Sequence, residues 1–199
     1  MPRGDKRKAI METAEKLFTS RRFHEITLDD IVEAAHIGKG TIYTYFKDKD
    51  DLFFQVALSG FDEMCDLLRR RVTEEAPFRE QLLQACAAIH SFFSRRRQLS
   101  RMIQSEEARM PFSKGPLRDR WLEKRAQMVD ALGQIMRKGQ SEGAVRPDLP
   151  PEVLSAFMLA LLRARARELG EGVDPVSDPT LVDFFLQGAR DCKPSGIPN

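Results

Sequence analysis

Almost every apolar run in this chain repeats with the 3.6-residue period of an α-helix, and no convincing pair of period-two segments is present. Ile10, Ala14, Leu17 and Phe18 predict an amphipathic helix from about Lys6 to Ser20, followed by a short connection holding Phe23 and Ile26. Thr27 reads as the cap of a second helix, with Asp29 and Asp30 in its first turn, where carboxylates suit unpaired N–H groups. Its inner face is Leu28, Ile31, Val32 and Ala35, and it stops at His36-Ile37-Gly38. A compact helix follows from Lys39 to about Phe46, then a long one from about Asp50 to Arg70. Further helices are expected from Pro77 to the Arg95-Arg97 triplet, from Leu99 to Met110, and from Leu117 to near Gly143. Beyond the proline-rich loop from Val145 to Pro151, Val153 to Leu162 is apolar nearly all round and must be covered on both sides. A last helix runs from Thr180 to about Ala189. The fold class is all-α, with about nine helices.

Composition sets limits on function. The 199 residues are 42% apolar and 31% charged, which fits a globular chain and neither a disordered nor a membrane-embedded one. The stretch from Val153 to Leu162 is too short to cross a bilayer, and no apolar run of signal-peptide length begins the sequence; a cytoplasmic protein is expected. Cys65, Cys86 and Cys192 are far apart and lack C-x-x-C spacing, which predicts free thiols. The net charge, 32 − 30 = +2, does not announce a nucleic-acid partner. Its placement says more: Arg3, Lys6, Arg7 and Lys8 stand against Asp5 alone, and are expected to form a mobile basic arm before the first helix.

Residues 27 to 46 make two short helices joined by a tight turn, the spacing of a helix-turn-helix. Two ordinary bundle helices share that spacing, so composition has to decide. Lys39, Thr41, Tyr43, Thr44, Tyr45 and Lys47 are donors set around only two apolar anchors, Ile42 and Phe46. A helix that lies in a DNA groove needs short hydroxyls, aromatic edges and lysines toward phosphates and bases.

The run from Thr27 to Leu52 closely resembles the N-terminal domain of the TetR family of transcriptional repressors, most specifically over Thr41 to Lys49. The resemblance spans about residues 6 to 54, and the first helix with Phe23 shares it. It implies a DNA-binding domain over residues 1–50 and a ligand-sensing, dimerising domain over 51–199. By resemblance, Thr27 contacts phosphate at the second helix, Gly40, Thr41, Tyr43, Thr44, Tyr45 and Lys47 belong to the recognition segment, and Lys49 clamps phosphate at the start of the fourth helix. Lys39 lies where a lysine can donate to guanine O6 and N7. Two positions depart from the family: His36 stands where glycine is common, and Gly38 where serine or threonine often stands. Histidine tolerates the left-handed conformation better than most residues, and glycine can still cap a helix.

The resemblance further implies an unidentified small-molecule effector and a homodimer on double-stranded DNA, with repression relieved by the ligand. The helices at about 151–168 and 180–190, with Phe184 and Phe185, are natural halves of a four-helix dimer interface. Phe61, Met64, Cys65, His90, Met102, Trp121 and Met128 are the large or soft side chains expected around an effector. A dimeric DNA-binding scaffold without a ligand is the alternative. An enzyme is disfavoured: Gly38-Lys39-Gly40-Thr41 lacks the leading glycine of a phosphate loop, and His24-Glu25 lacks the second histidine of a zincin, since position 28 is Leu28. No catalytic residue, cofactor, metal site or membrane partner is expected.

Overall fold

A computed structural model describes residues 3–97, 99–103, 115–168 and 176–189, and among these every regular element is helical. The elements are α1 (Arg3–Ser20), a 3-10 turn (Phe23–Glu25), α2 (Leu28–Ala34), α3 (Lys39–Tyr43), α4 (Lys49–Arg71), α5 (Phe78–Arg95), α6 (99–103), α7 (Pro116–Ser141), α8 (Pro151–Glu168) and α9 (Asp178–Ala189). The all-α expectation holds. The remainder of the helix expected to Met110, and Cys192, lie outside the described residues.

The chain divides into two compact units, Met1–Asp62 with Arg96–Leu122, and Glu63–Arg95 with Glu123–Asn199. The division falls inside α4 and α7, so each of these helices contributes residues to both units.

In the first unit α1 packs on α2 and α2 on α3. Their shared core is Ile10, Ala14, Ile26, Ile31, Ile42, Phe46 and Leu52, all essentially sealed from solvent. Burying side chains of this kind is worth roughly 1.5–3 kcal/mol each. Phe18, Phe23 and Phe53 form an aromatic trio with ring centroids 5.0–5.7 Å apart. A second cluster sets Trp121 edge-on to Phe61 at 5.0 Å and to Phe54 at 6.2 Å. The Arg96 guanidinium, 2.6 Å from Glu15, ties the segment after α5 to α1.

In the second unit α5 packs against both α8 and α9, which also pack on each other. Leu82, Cys86, Ile89, Met158, Leu162 and Val182 fill the contact. Arg165 of α8, side chain 6% exposed, reaches Asp178 at the first residue of α9 at 2.7 Å and donates to the Val176 carbonyl at 3.1 Å. The opposite charge so close to a buried guanidinium offsets its desolvation.

Two expected boundaries move. Helix α1 starts at Arg3, so the basic residues expected as an arm are its first two turns. Arg7 donates to Gln55 of α4 and sits over the Phe46 ring at 5.8 Å, so packing across the unit extends the helix toward the terminus. Helix α3 ends at Tyr43, short of Phe46, because the next N–H groups bond in tight turns to Thr41 and Ile42. Helix α8, Pro151–Glu168, agrees with the helix expected at about 151–168.

Candidate nucleic-acid interface

The turn between α2 and α3 is built by local chemistry. Thr27 closes a capping box: its hydroxyl oxygen accepts from the Asp30 N–H at 3.1 Å, and the Thr27 N–H donates to Asp30 Oδ2 at 2.7 Å. The Thr27 hydroxyl also donates to that carboxylate, at 2.7 Å. These bonds, the backbone one first, hold the Asp30 carboxyl below its usual range. His36 adopts φ +52°, the left-handed residue that lets the chain reverse between the helices. Gly38 caps α3 with its backbone alone, accepting the Thr41 N–H at 2.8 Å, and no side-chain bond assists.

On α3 the two anchors go inward, Ile42 at 0% and Phe46, just past its end, at 1% exposure. The polar residues go outward. Lys39, Gly40, Tyr43, Thr44 and Lys47 are exposed, Tyr43 by 53%, while Thr41 and Tyr45 are half-buried. A Cβ on Gly40 would meet nothing within 4 Å, so the backbone face there is open to close approach. The Thr44 hydroxyl donates to the Gly40 carbonyl at 3.2 Å, and Tyr45 rests 6.3 Å from the Phe46 ring. Lys39 Nζ donates to Asp29 of α2 at 2.7 Å, a bond that raises the lysine's pKa above its ordinary value. Asp29 was legible only as a first-turn acid, because its partner is ten residues away across the turn.

Lys49, expected on phosphate, has protein partners in this structure. Its ammonium donates to the carbonyls of Phe23 at 2.8 Å and Ile26 at 2.7 Å and lies 4.2 Å from the Phe23 ring centroid. Asp48 caps α4 through the Asp51 N–H at 2.8 Å, and Asp51 in turn accepts from the Lys47 N–H at 3.0 Å.

The seven side chains expected around an effector are divided between the units. Phe61, Met102 and Trp121 are buried in the first, Met64, Cys65 and Met128 in the second. His90, also in the second, is half-exposed with Nδ1 3.5 Å from Asp178. Cys65 borders a cavity of about 540 Å³ lined by Leu68, Val72, Ala131 and Ile135, with Arg69 and Asp130 among its polar residues. Among the described residues no group of three or more His, Cys, Asp or Glu is placed to hold a metal ion, and no helix is long and apolar enough to cross a membrane.

Two short helices with a left-handed turn, one presenting donors outward over two buried anchors, define a helix-turn-helix DNA-binding protein. Residues 10–56 match the family of bacterial regulatory proteins described as tetR. The chain is 29% identical over 181 residues to the HTH-type transcriptional regulator YhgD of Bacillus subtilis, covering 91% of this chain and 93% of that one. It is 23% identical to the HTH-type transcriptional repressor AcnR of Corynebacterium diphtheriae, over 96% and 94% of the two chains. Its fold is shared with the transcriptional regulator FadR of Bacillus subtilis, solved in complex with stearoyl-CoA, at TM-score 0.77 and 18% identity over 92% and 99%. By its N-terminal domain in the family match, and along nearly its full length in these relatives, the chain is similar to transcriptional regulators of the TetR family.

Proposed function

We propose that this regulator is a cytoplasmic repressor that binds operator DNA as a homodimer and is released by a small-molecule effector. The observation that carries the DNA part is α3 itself, where Lys39, Gly40, Tyr43, Thr44 and Lys47 face solvent while Ile42 and Phe46 hold the helix in place. Tyr43 and Lys47 suit phosphate, Lys39 a base edge, and Gly40 close backbone approach; Thr41 and Tyr45, half-buried, flank the contact, and the capped Thr27 adds a hydroxyl at the entry to α2.

The dimer is supported by Phe157 on α8 and Phe184 on α9, 55% and 66% exposed on two helices that pack together. Phe185, its neighbour, is buried in the protomer, so the face offered to a partner is narrower than the Phe184-Phe185 pair suggests. Large exposed aromatics on adjoining helices are what a second copy would cover. The effector is supported by the Trp121 indole N–H, fully buried with no hydrogen-bond partner among the described residues. A buried donor left in that state costs about 1–3 kcal/mol, which a ligand acceptor would recover.

Selection of bound duplexes from a random-sequence pool tests the reading. Two half-sites about 34–36 Å apart, or a wider regular spacing, are expected for the unmutated protein. The Phe157→Asp, Phe184→Asp double variant should sediment as a monomer and lose the two-half-site preference. Selected sequences bound no better than mixed DNA, or a monomer that still prefers paired half-sites, would refute it.

A further inference from the structure

We infer that the cavity of about 540 Å³ in the second unit is a binding site for a small organic amine, whose apolar body rests on carbon surface while its ammonium donates to the Gln81 side-chain carbonyl beside Glu74. Such a site stands apart from the DNA and effector readings above, because it is defined by binding alone. Every residue lining it belongs to that unit, on α4, the connection after α4, α5 and α7. Leu68, Val72, Ala131 and Ile135 supply the carbon surface. The volume lies within the roughly 300–1,000 Å³ usual for small-molecule sites.

Gln81 gives the site its chemistry. It is 5% exposed, and its amide nitrogen donates to the Glu74 carbonyl and to the Ala76 carbonyl, the latter at 2.9 Å. Two carbonyl partners settle which end of the amide is nitrogen, because an amide oxygen cannot donate. Both N–H groups are thereby used, and Gln81 Oε1 accepts from no donor among the described residues. It is not one of the sealed polar atoms either, so it opens onto the cavity that Gln81 lines. A donor that reaches a buried carbonyl oxygen in that state satisfies a group already stripped of most of its water. The wall around it is pinned in advance. Lys138 Nζ donates to the same two backbone carbonyls, at 2.9 Å and 2.7 Å, and the Thr73 N–H donates to the Gln84 side chain of α5 at 2.8 Å.

The charges on the lining sort in one direction. Arg69 is paired with Asp66, and Asp130 with Arg137 at 2.7 Å, so each of these is already met. Gln127 and Gln134 turn their amide nitrogens to Glu123 and Asp130 of their own helix, both at 3.5 Å. Lys138 is spent on the backbone and does not line the cavity. The Glu74 carboxylate, which does line it, has no ion-pair partner among the described residues. A ligand carboxylate would meet like charge at Glu74 and a second acceptor at Gln81. A protonated amine meets a counter-charge and a waiting acceptor.

Calorimetric titration of the full chain at neutral pH with octylamine, octanol, octanoate and octyltrimethylammonium compares four heads on one alkyl body. Octylamine should bind at one site, with octanoate weaker by about tenfold or more, since it is repelled and has no N–H to give. Octyltrimethylammonium keeps the charge but cannot donate, and should fall behind octylamine by about fivefold or more. Glu74→Gln removes a charge that has no partner in the fold, and should weaken octylamine by about twofold to fivefold, the range of an exposed ion pair, while leaving octanol unchanged. Location is read by NMR: the methyl groups of Leu68, Val72 and Ile135 should show NOEs to the bound alkyl chain. Absence of octylamine binding, octanoate or the trimethylated form binding as tightly as octylamine, unchanged affinity in Glu74→Gln, or NOEs to methyl groups elsewhere would each overturn the proposal.

Discussion

Two glycines of α7 should respond to the same substitution with opposite signs. Alanine in place of a mid-helix glycine usually stabilises by about 0.8–1 kcal/mol, because glycine has more backbone freedom to lose. At Gly133 the new Cβ would meet the Arg137 side chain at 3.6 Å and Glu152 at 3.7 Å, ordinary van der Waals contact. At Gly139 it would lie 2.6 Å, 2.8 Å and 2.8 Å from three atoms of the Phe78 ring. Carbon contacts settle at about 3.5–4.0 Å, so the ring must retreat by about 1 Å. Phe78 is 1% exposed and its N–H donates to Glu142 at 3.2 Å, so it sits in a packed corner with its backbone tied. Overpacking of this kind costs about 1–3 kcal/mol. Gly133→Ala should therefore stabilise by up to about 1 kcal/mol. Gly139→Ala should come out destabilised, the two variants differing by about 1–3 kcal/mol. Urea unfolding at one protein concentration reads both, since oligomerisation would make the midpoint depend on concentration. Combining Gly139→Ala with Phe78→Leu should remove most of the penalty, a coupling that a double-mutant cycle measures. If Gly139→Ala proved as stable as Gly133→Ala, the close approach of Phe78 to α7 would be wrong.

Other consequences are narrower. The Asp30 carboxyl is held low by the Thr27 bonds, so its contribution is present above the ordinary carboxylate pKa and fades as pH falls through the lowered folded value; Asp30→Asn should flatten the acid limb of a stability–pH curve. Burial, with Asp178 nearby, pushes the Cys86 thiol up to about 12, so alkylation at mildly alkaline pH should spare Cys86 in the folded protein and label it once unfolded. As the pH rises from the unfolded thiol value toward 12 the unfolded chain loses its proton first, so this group should lower stability across that window, and Cys86→Ala should remove the effect.

Much of the molecule could be read along the chain. The helices declared themselves through apolar spacing, and the capping box through Thr27 and the acids that follow it, because both signals arise between residues a few positions apart. The left-handed turn at His36 and the inward anchors Ile42 and Phe46 belong to the same local class. The other features join residues that no local period relates. Arg7 looks like part of a free basic arm until Gln55 and Phe46 are brought beside it, and only then does α1 extend to Arg3. Lys49 looks like a surface cation until the turn at Phe23–Glu25 folds its carbonyls onto the ammonium. Lys39 finds Asp29, Arg165 finds Asp178, and Gly139 admits Phe78, across separations of ten, thirteen and sixty-one residues respectively. Periodicity specifies which face of a helix is buried, a property of the segment alone. Which charge meets which carbonyl depends on how the segments pack, and that is decided only when the tertiary structure closes.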